Sequence, residues 1–198
     1  MIGDNLKKVL SSLLASCIQA PRTSRASLIR GSRSQANAMA QQALIAHWQS
    51  IVKSLTNYLK ILRANHVPPF LVHKVFTEIF SFINVQLFNS LLLRRECCSF
   101  SNGEYLKAGL TELEHWCYDA TEEYAGSTWG ELKHIRQAVG FLVCFFMKST
   151  LTLKEITNDL CPVLSIQQLY RISTMYWDDK YGTQRIIRGH FKYESYDD

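Results

Sequence analysis

Acid is almost missing from the first third of this chain. Between residues 1 and 77 there is one carboxylate, Asp4, against ten lysines and arginines, whereas residues 78–198 carry sixteen acids against twelve bases, so a net charge of +5 conceals a division. Such a basic stretch attracts phosphate, acidic proteins or anionic lipid, or it stands as a solvated arm. Proline and glycine are also sparse, four and nine in 198 residues, which excludes collagen-like and Pro/Gly low-complexity classes. Unbroken apolar runs such as "FLVCFFM" fall far short of the roughly 20 residues a bilayer needs. With no apolar segment followed by a small-residue cleavage site near Met1, the expectation is a chain neither secreted nor membrane-spanning. Six cysteines (Cys17, Cys97, Cys98, Cys117, Cys144, Cys161) follow no framework spacing, and several sit in apolar segments where cysteine behaves as a small hydrophobe. A reducing compartment is expected.

Catalytic and metal signatures are scarce too. The stretch "RRECCSFSNGEYLKAGLTELEHWC", Arg94 to Cys117, crowds three cysteines and a histidine together, but zinc is usually held by C-x(2-4)-C or H-x(3-5)-H spacings that let ligands converge. His115 and Cys117, two apart on a predicted helix, diverge by about 200°. There is no G-x-S-x-G, H-E-x-x-H, G-x-G-x-x-G or G-x-x-x-x-G-K-[ST]. No cofactor, metal or catalytic residue is assigned, and the cysteine-rich stretch reads as a joint: the end of one helix, a short "SFSNG" turn and the next helix returning.

What is present is helical periodicity. Residues 5–18 place Leu6, Val9, Leu10, Leu13, Leu14 and Cys17 on one stripe, a short amphipathic helix assigned to residues 1–20. Residues 21–40 are rich in arginine and serine, with too little apolar content to offset ordering entropy, and read as a flexible basic linker. Leu44, Trp48, Ile51, Leu55, Tyr58 and Leu62 then alternate in steps of four and three, widened by Val52, Leu59 and Ile61, as for a helix packed in a bundle. Pro68 and Pro69 close that helix and open another, free of charge between Glu78 and Arg94, which must be central; its Asn84, Gln86 and Asn89 need partners or an exposed edge. Ser101 with Glu104, Thr128 with Glu131, Thr152 with Glu155 and Ser165 with Gln168 each fit the capping box and predict four helix starts. Leu106, Leu110, Leu113, Trp116 and Cys117 form the first following stripe, and Leu132, Ile135, Val139, Leu142 and Phe146 the second. No period-two alternation competes, so the fold class is all-α, an elongated multi-helix bundle over residues 41–183 with a polar tail over 184–198.

The segments "FSFINVQLFNSLLLRRECCSFSNGEYLKAGLTELEHW", "ELKHIRQAVGFLV" and "NDLCPVLSIQQLYRISTMYWDDKYGT" resemble, in this order, the dilute domain in the C-terminal globular tail of class V and class XI unconventional myosins, with the plant class XI tails nearest. The similarity runs from about Asn5 to Thr183, and "RIIRGHFKYESYDD" from Arg185 onward departs from the family pattern. The resemblance implies a non-catalytic helical cargo-binding tail that docks through adaptor proteins and small GTPases onto vesicles or organelles. Membrane association would then be peripheral, actin would be engaged only indirectly through an intact motor, and the location would be cytoplasmic, on vesicles or organelles of the actin cytoskeleton. Motor head, neck, stalk and most of the first tail lobe have no counterpart here, and residues 1–20 would be a remnant of that lobe.

Several residues are candidates for partner contact. Ile166, Leu169, Tyr170, Ser173, Tyr176 and Trp177 fall near one helical face, so Tyr170 and Trp177 read chiefly as packing, with Arg171, Asp178, Asp179 and Lys180 outside that stripe as partner-facing candidates or a plain solvated helix end. Arg94, Arg95, Lys133, His134 and Arg136 would form one basic surface if their helices are neighbours, and otherwise are surface decoration. Ser24, Ser27, Ser32 and Ser34, among the arginines of the linker, suit a phosphorylation-controlled arm or an inert linker. Two other functions compete. An organelle-imported helical protein would use the acid-poor N-terminal part as a transit-like leader. A nucleic-acid binder would use the basic arm, but no aromatic-basic recognition motif supports it, and no nucleic acid is expected as a partner.

Overall fold

The computed structural model describes residues 3–20, 33–147, 152–177 and 179, and these contain helices and no strand. The fold class is the all-α bundle that the periodicity predicts. Helix α1, Asp4–Cys17, buries Leu6, Leu10, Leu14 and Cys17 at near-helical spacing and packs on α2 and α3. Val9, expected on that stripe, is exposed, because the buried face is narrower than the apolar run.

Helix α2, Arg33–Ala64, begins inside the stretch expected to be linker. Residues 33–40, "RSQANAMA", are mostly good helix formers, which favours the helix there. Residues 21–32, with Ser24, Ser27 and Ser32, lie outside the described residues, as do Asp178, Lys180 and the expected tail at 184–198. Trp48, Ile51, Leu55, Leu59 and Leu62 are buried as expected, whereas Ile61 is exposed. The helix closes in a Schellman turn: His66, at φ 53°, sits left-handed, its N–H donates to Arg63 O at 3.0 Å, and the Val67 N–H donates to Leu62 O at 3.1 Å.

Helix α3, Pro69–Leu93, is opened by proline at its first positions and is the core element. Among the described residues it is the one helix long and apolar enough to cross a membrane, but here its Val72, Phe76, Ile79, Phe80, Ile83, Leu87 and Leu91 are buried by the bundle. Buried Asn84 finds its partner in the Ile135 N–H, which donates to its Oδ1 at 3.0 Å, while Gln86 and Asn89 are exposed.

A 3-10 turn, Arg95–Cys97, then reverses the chain. Helix α4, Phe100–Tyr124, is capped by Ser99, whose Oγ accepts from the Asn102 N–H at 3.2 Å. The cap expected at Ser101 is therefore displaced by two residues: the turn ends sooner than the motif suggests, and Ser99 holds the extended φ/ψ that a cap requires. On α4, Trp116 packs against Phe76 and Phe80 with ring centroids 5.0 and 5.7 Å away, and its Nε1–H donates to Thr56 Oγ1 at 3.0 Å.

Near its end α4 is broken by Thr121, at φ 65° and ψ 156°. A β-branched residue there is strained, by about 1–3 kcal/mol. Thr121→Gly is expected to stabilise the chain by about 1 kcal/mol, read as a raised urea midpoint at unchanged m. A lowered midpoint would mean that the hydroxyl or methyl contributes more than the strain costs.

A 3-10 segment, Gly126–Leu132, leads into α5, Lys133–Met147. Thr128 does not cap a helix as expected: it is buried within this segment, and its hydroxyl donates to Ala125 O at 2.6 Å. The Thr152–Glu155 box does form, with Glu155 Oε2 accepting from the Thr152 N–H at 2.8 Å and Thr152 Oγ1 accepting from the Glu155 N–H at 3.3 Å. It starts the short α6, Leu153–Glu155, which continues as a π turn, Ile156–Leu160. Ser165 and Gln168 form the full box that opens α7, Ile166–Met175. Leu132, the last residue of the 3-10 segment, and Ile135, Val139 and Leu142 on α5 are buried as the stripe predicts, and the side chain of Phe146 lies outside the described residues.

Candidate interaction surface

The cysteine-rich stretch is the joint between α3 and α4, and its thiols are inward. Cys97 and Cys98 are buried, with the Cys98 thiol donating to Leu91 O at 3.0 Å. His115 is exposed while Cys117 is buried, so the two diverge as their spacing requires. Among the described residues no three of His, Cys, Asp or Glu come together as a metal site. Burial pushes the thiols of Cys17, Cys98 and Cys161 up to about 12 and those of Cys97 and Cys117 up to about 11.

Those thiols stay protonated in the folded chain when exposed thiols ionise near their ordinary value of 9.0. The stabilisation is fully present below that value and is lost as pH climbs toward the folded values. Urea midpoints are expected to fall steadily between about 9 and 12. A flat profile there would show that the thiols are not held in the core.

The joint also gathers the segment after α1 and the segment after α7. Asn102, buried at the start of α4, accepts from the Ala20 N–H at 2.8 Å through Oδ1, and its amide donates to Ile18 O at 3.1 Å and Cys97 O at 2.8 Å. From the other side, the Trp177 N–H donates to Cys98 O at 3.0 Å and its indole Nε1–H to Arg95 O at 3.1 Å. Asp179 Oδ1 accepts from the Ser101 N–H at 3.1 Å, a carboxylate at a helix N-terminus where the dipole favours it. Asp179, a candidate for partner contact, thus uses its carboxylate within the chain, and Arg171 likewise donates from Nε to Leu92 O at 3.1 Å.

The basic residues divide. Helices α3 and α5 are neighbours, and His134 sits 5.7 Å from the Phe88 ring. Burial first, and then Lys133, lower its pKa. Arg94 is the C-cap of α3 and Arg95 opens the 3-10 turn, six and seven residues beyond Phe88. Lys133 and Arg136 do share a site. With Gln137, Gly140 and Leu160 they line an open groove of about 280 Å³ between α5 and the π turn. The Arg136 guanidinium lies over Trp129, 4.3 Å from the ring centroid, which fixes a long side chain at little further entropic cost. Gln137 holds the far wall: its Oε1 accepts from the Val163 N–H at 2.9 Å and its carbonyl from the Cys161 thiol at 3.5 Å.

Helix α7 corrects the expected stripe. Its buried face is Leu169, Ile172, Ser173 and Met175, and Ile166 and Tyr170 point outward. A ten-residue helix with apolar side chains on two sides does not fix its own phase by periodicity, and contact with α3 decides it. Trp177, also read as packing, is partly exposed and binds the joint through its indole N–H. Ser34 lies in the first turn of α2.

The described residues thus form an all-α helical bundle around a core helix that is uncharged between Glu78 and Arg94, with a capped return across a cysteine-bearing joint. The chain belongs to the DIL domain family, whose pattern matches residues 74–180. It is 78% identical over 187 residues to Myosin-11 of Arabidopsis thaliana, 76% over 187 residues to Myosin-9 and 67% over 188 residues to Myosin-5 of the same plant. In each case the alignment takes in 94% of this chain and 12% of the relative.

Proposed function

We propose that this chain is a non-catalytic cargo-binding tail domain, which attaches vesicles or organelles through adaptor proteins or small GTPases for transport by an actin-based motor. The observation that carries the reading is sequence identity of 56–78% with plant myosins across 94% of the chain. Exposed cations, Lys133 and Arg136 on α5 and Arg171 on α7, and exposed apolar side chains such as Ile166 and Tyr170 are available for partner contact. The transit-leader alternative loses support because Leu6, Leu10, Leu14, Trp48, Ile51 and Leu55, all within the acid-poor part, belong to the buried core of the described residues. A removable leader does not supply core side chains.

The test is live imaging of the chain tagged at its C-terminus, with vesicles, mitochondria and plastids co-labelled. Association with vesicles or organelle surfaces is the expected result. Uniform signal with no enrichment would overturn the cargo reading, and signal inside mitochondria or plastids with loss of the N-terminal part would establish import instead.

A further inference from the structure

We propose that the outer face of α7, together with the groove beside α5, is a docking surface for an acidic peptide that brings an apolar anchor. The inference rests on the cargo-binding reading and names the chemistry of the partner. Ile166 and Tyr170, one helical turn apart, are 53% and 51% exposed, and Val163, just before the helix, is 38% exposed. Ile166 and Tyr170, at i and i+4, stand one above the other as a short row on α7, and Val163 lies in the turn that precedes it. That row is rigid. The Ser165–Gln168 box fixes where α7 starts, and the bond from the Val163 N–H to Gln137 Oε1 at 2.9 Å ties the turn before α7 to α5.

The groove lies beside the turn that leads into the row, since Gln137, which accepts from the Val163 N–H, is one of its lining residues. Leu160 forms part of its wall, and at about 280 Å³ it lies just below the ~300–1,000 Å³ of small-molecule sites, a size suited to an inserted side chain. None of its lining residues is acidic, and two, Lys133 and Arg136, are cationic. Stacking on Trp129 occupies the face of the Arg136 guanidinium and leaves its edge to meet a carboxylate. Arg171 follows Tyr170 in α7, its Nε tied to Leu92 O at 3.1 Å, so a third cation is held near the row. Asp159, exposed next to Leu160, sets the acidic limit of the surface. Fixed cations around an apolar row complement an amphipathic peptide bearing Asp or Glu. An anionic lipid surface has the same charge, but it would not fill a side-chain-sized concavity.

The experiment titrates the full chain against fluorescein-labelled synthetic helices with a Leu stripe and Glu flanks. The same stripe with Lys flanks, a Ser stripe with Glu flanks, and phosphatidylserine-containing vesicles are run in parallel. The Leu–Glu peptide is expected to bind, with affinity falling as salt rises. Ile166→Ser with Tyr170→Ser should weaken it by about tenfold or more, and Lys133→Glu with Arg136→Glu should weaken it similarly and shift preference to the Leu–Lys peptide. All four positions are exposed, and thermal unfolding of each variant confirms its fold. No binding of the Leu–Glu peptide, equal binding of the Leu–Lys or Ser–Glu peptide, indifference to both double variants, or binding to the vesicles alone would each overturn the proposal. Organelle association unchanged in the Ile166/Tyr170 variant would remove this surface and leave the cargo reading intact. Peptide binding without organelle association would do the reverse.

Discussion

Gly109→Ala is expected to destabilise the chain by about 3 kcal/mol, although alanine is the better helix former by about 1 kcal/mol. A Cβ on Gly109 would fall within the Trp48 indole, and Trp48 is fully buried in the core, with Tyr105 edge-on at 6.2 Å. Neither ring can withdraw, so α2 and α4 would have to separate. The clash therefore outweighs the propensity, and the sign of the result is diagnostic. A lowered midpoint in urea or heat places the indole against α4 as described, whereas a gain in stability would mean that Trp48 packs elsewhere. Trp48→Ala in the Gly109→Ala background should recover little, because the lost aromatic leaves a cavity of its own.

Asn102→Asp should cost about 3 kcal/mol and release the N-terminal helix from the bundle. The native amide donates to two carbonyls, Ile18 O and Cys97 O, and its oxygen accepts from the Ala20 N–H. A carboxylate of the same shape keeps the third bond and turns the first two into oxygen-oxygen repulsion in a buried site. Amide hydrogen exchange is the measurement: protection over residues 4–20 should fall more than protection over α3. Uniform loss across both segments would show that α1 has no stability separable from the rest.

The helical periodicity made α1, α2, α4 and α5 legible, because each buries one stripe and period 3.6 then reports its face, and α3 was legible by its lack of charge between Glu78 and Arg94. The joint was legible as a joint, since Cys97, Cys98 and His115 lack ligand spacing. Its function as an anchor was not. That depends on Asn102, Trp177 and Asp179 meeting across about 80 residues of chain, and no local pattern encodes such a meeting. Two of the four capping motifs marked real caps, at Thr152 and Ser165, and two did not, because S/T-x-x-E/Q constrains a start only where the first residue is free to leave helical φ/ψ. The candidate surface was half visible. Lys133 and Arg136 stood out by charge, while Ile166 and Tyr170 were hidden by a helix short enough to be read in two phases. Gln137, which holds Val163 in place, carried no signal, as an isolated glutamine on a helix rarely does.

The anchoring at the α3–α4 joint has a mechanical consequence. Ile18 and Ala20 attach to Asn102 from one side, and Trp177 and Asp179 attach at Arg95, Cys98 and Ser101 from the other. Tension applied through the segment that follows α7 would reach residues 95–101 without first passing along α3 or α4. Load would then shear a few hydrogen bonds at the joint in parallel rather than unzip helices in series, and the docked faces of the bundle could keep their shape until those bonds gave way.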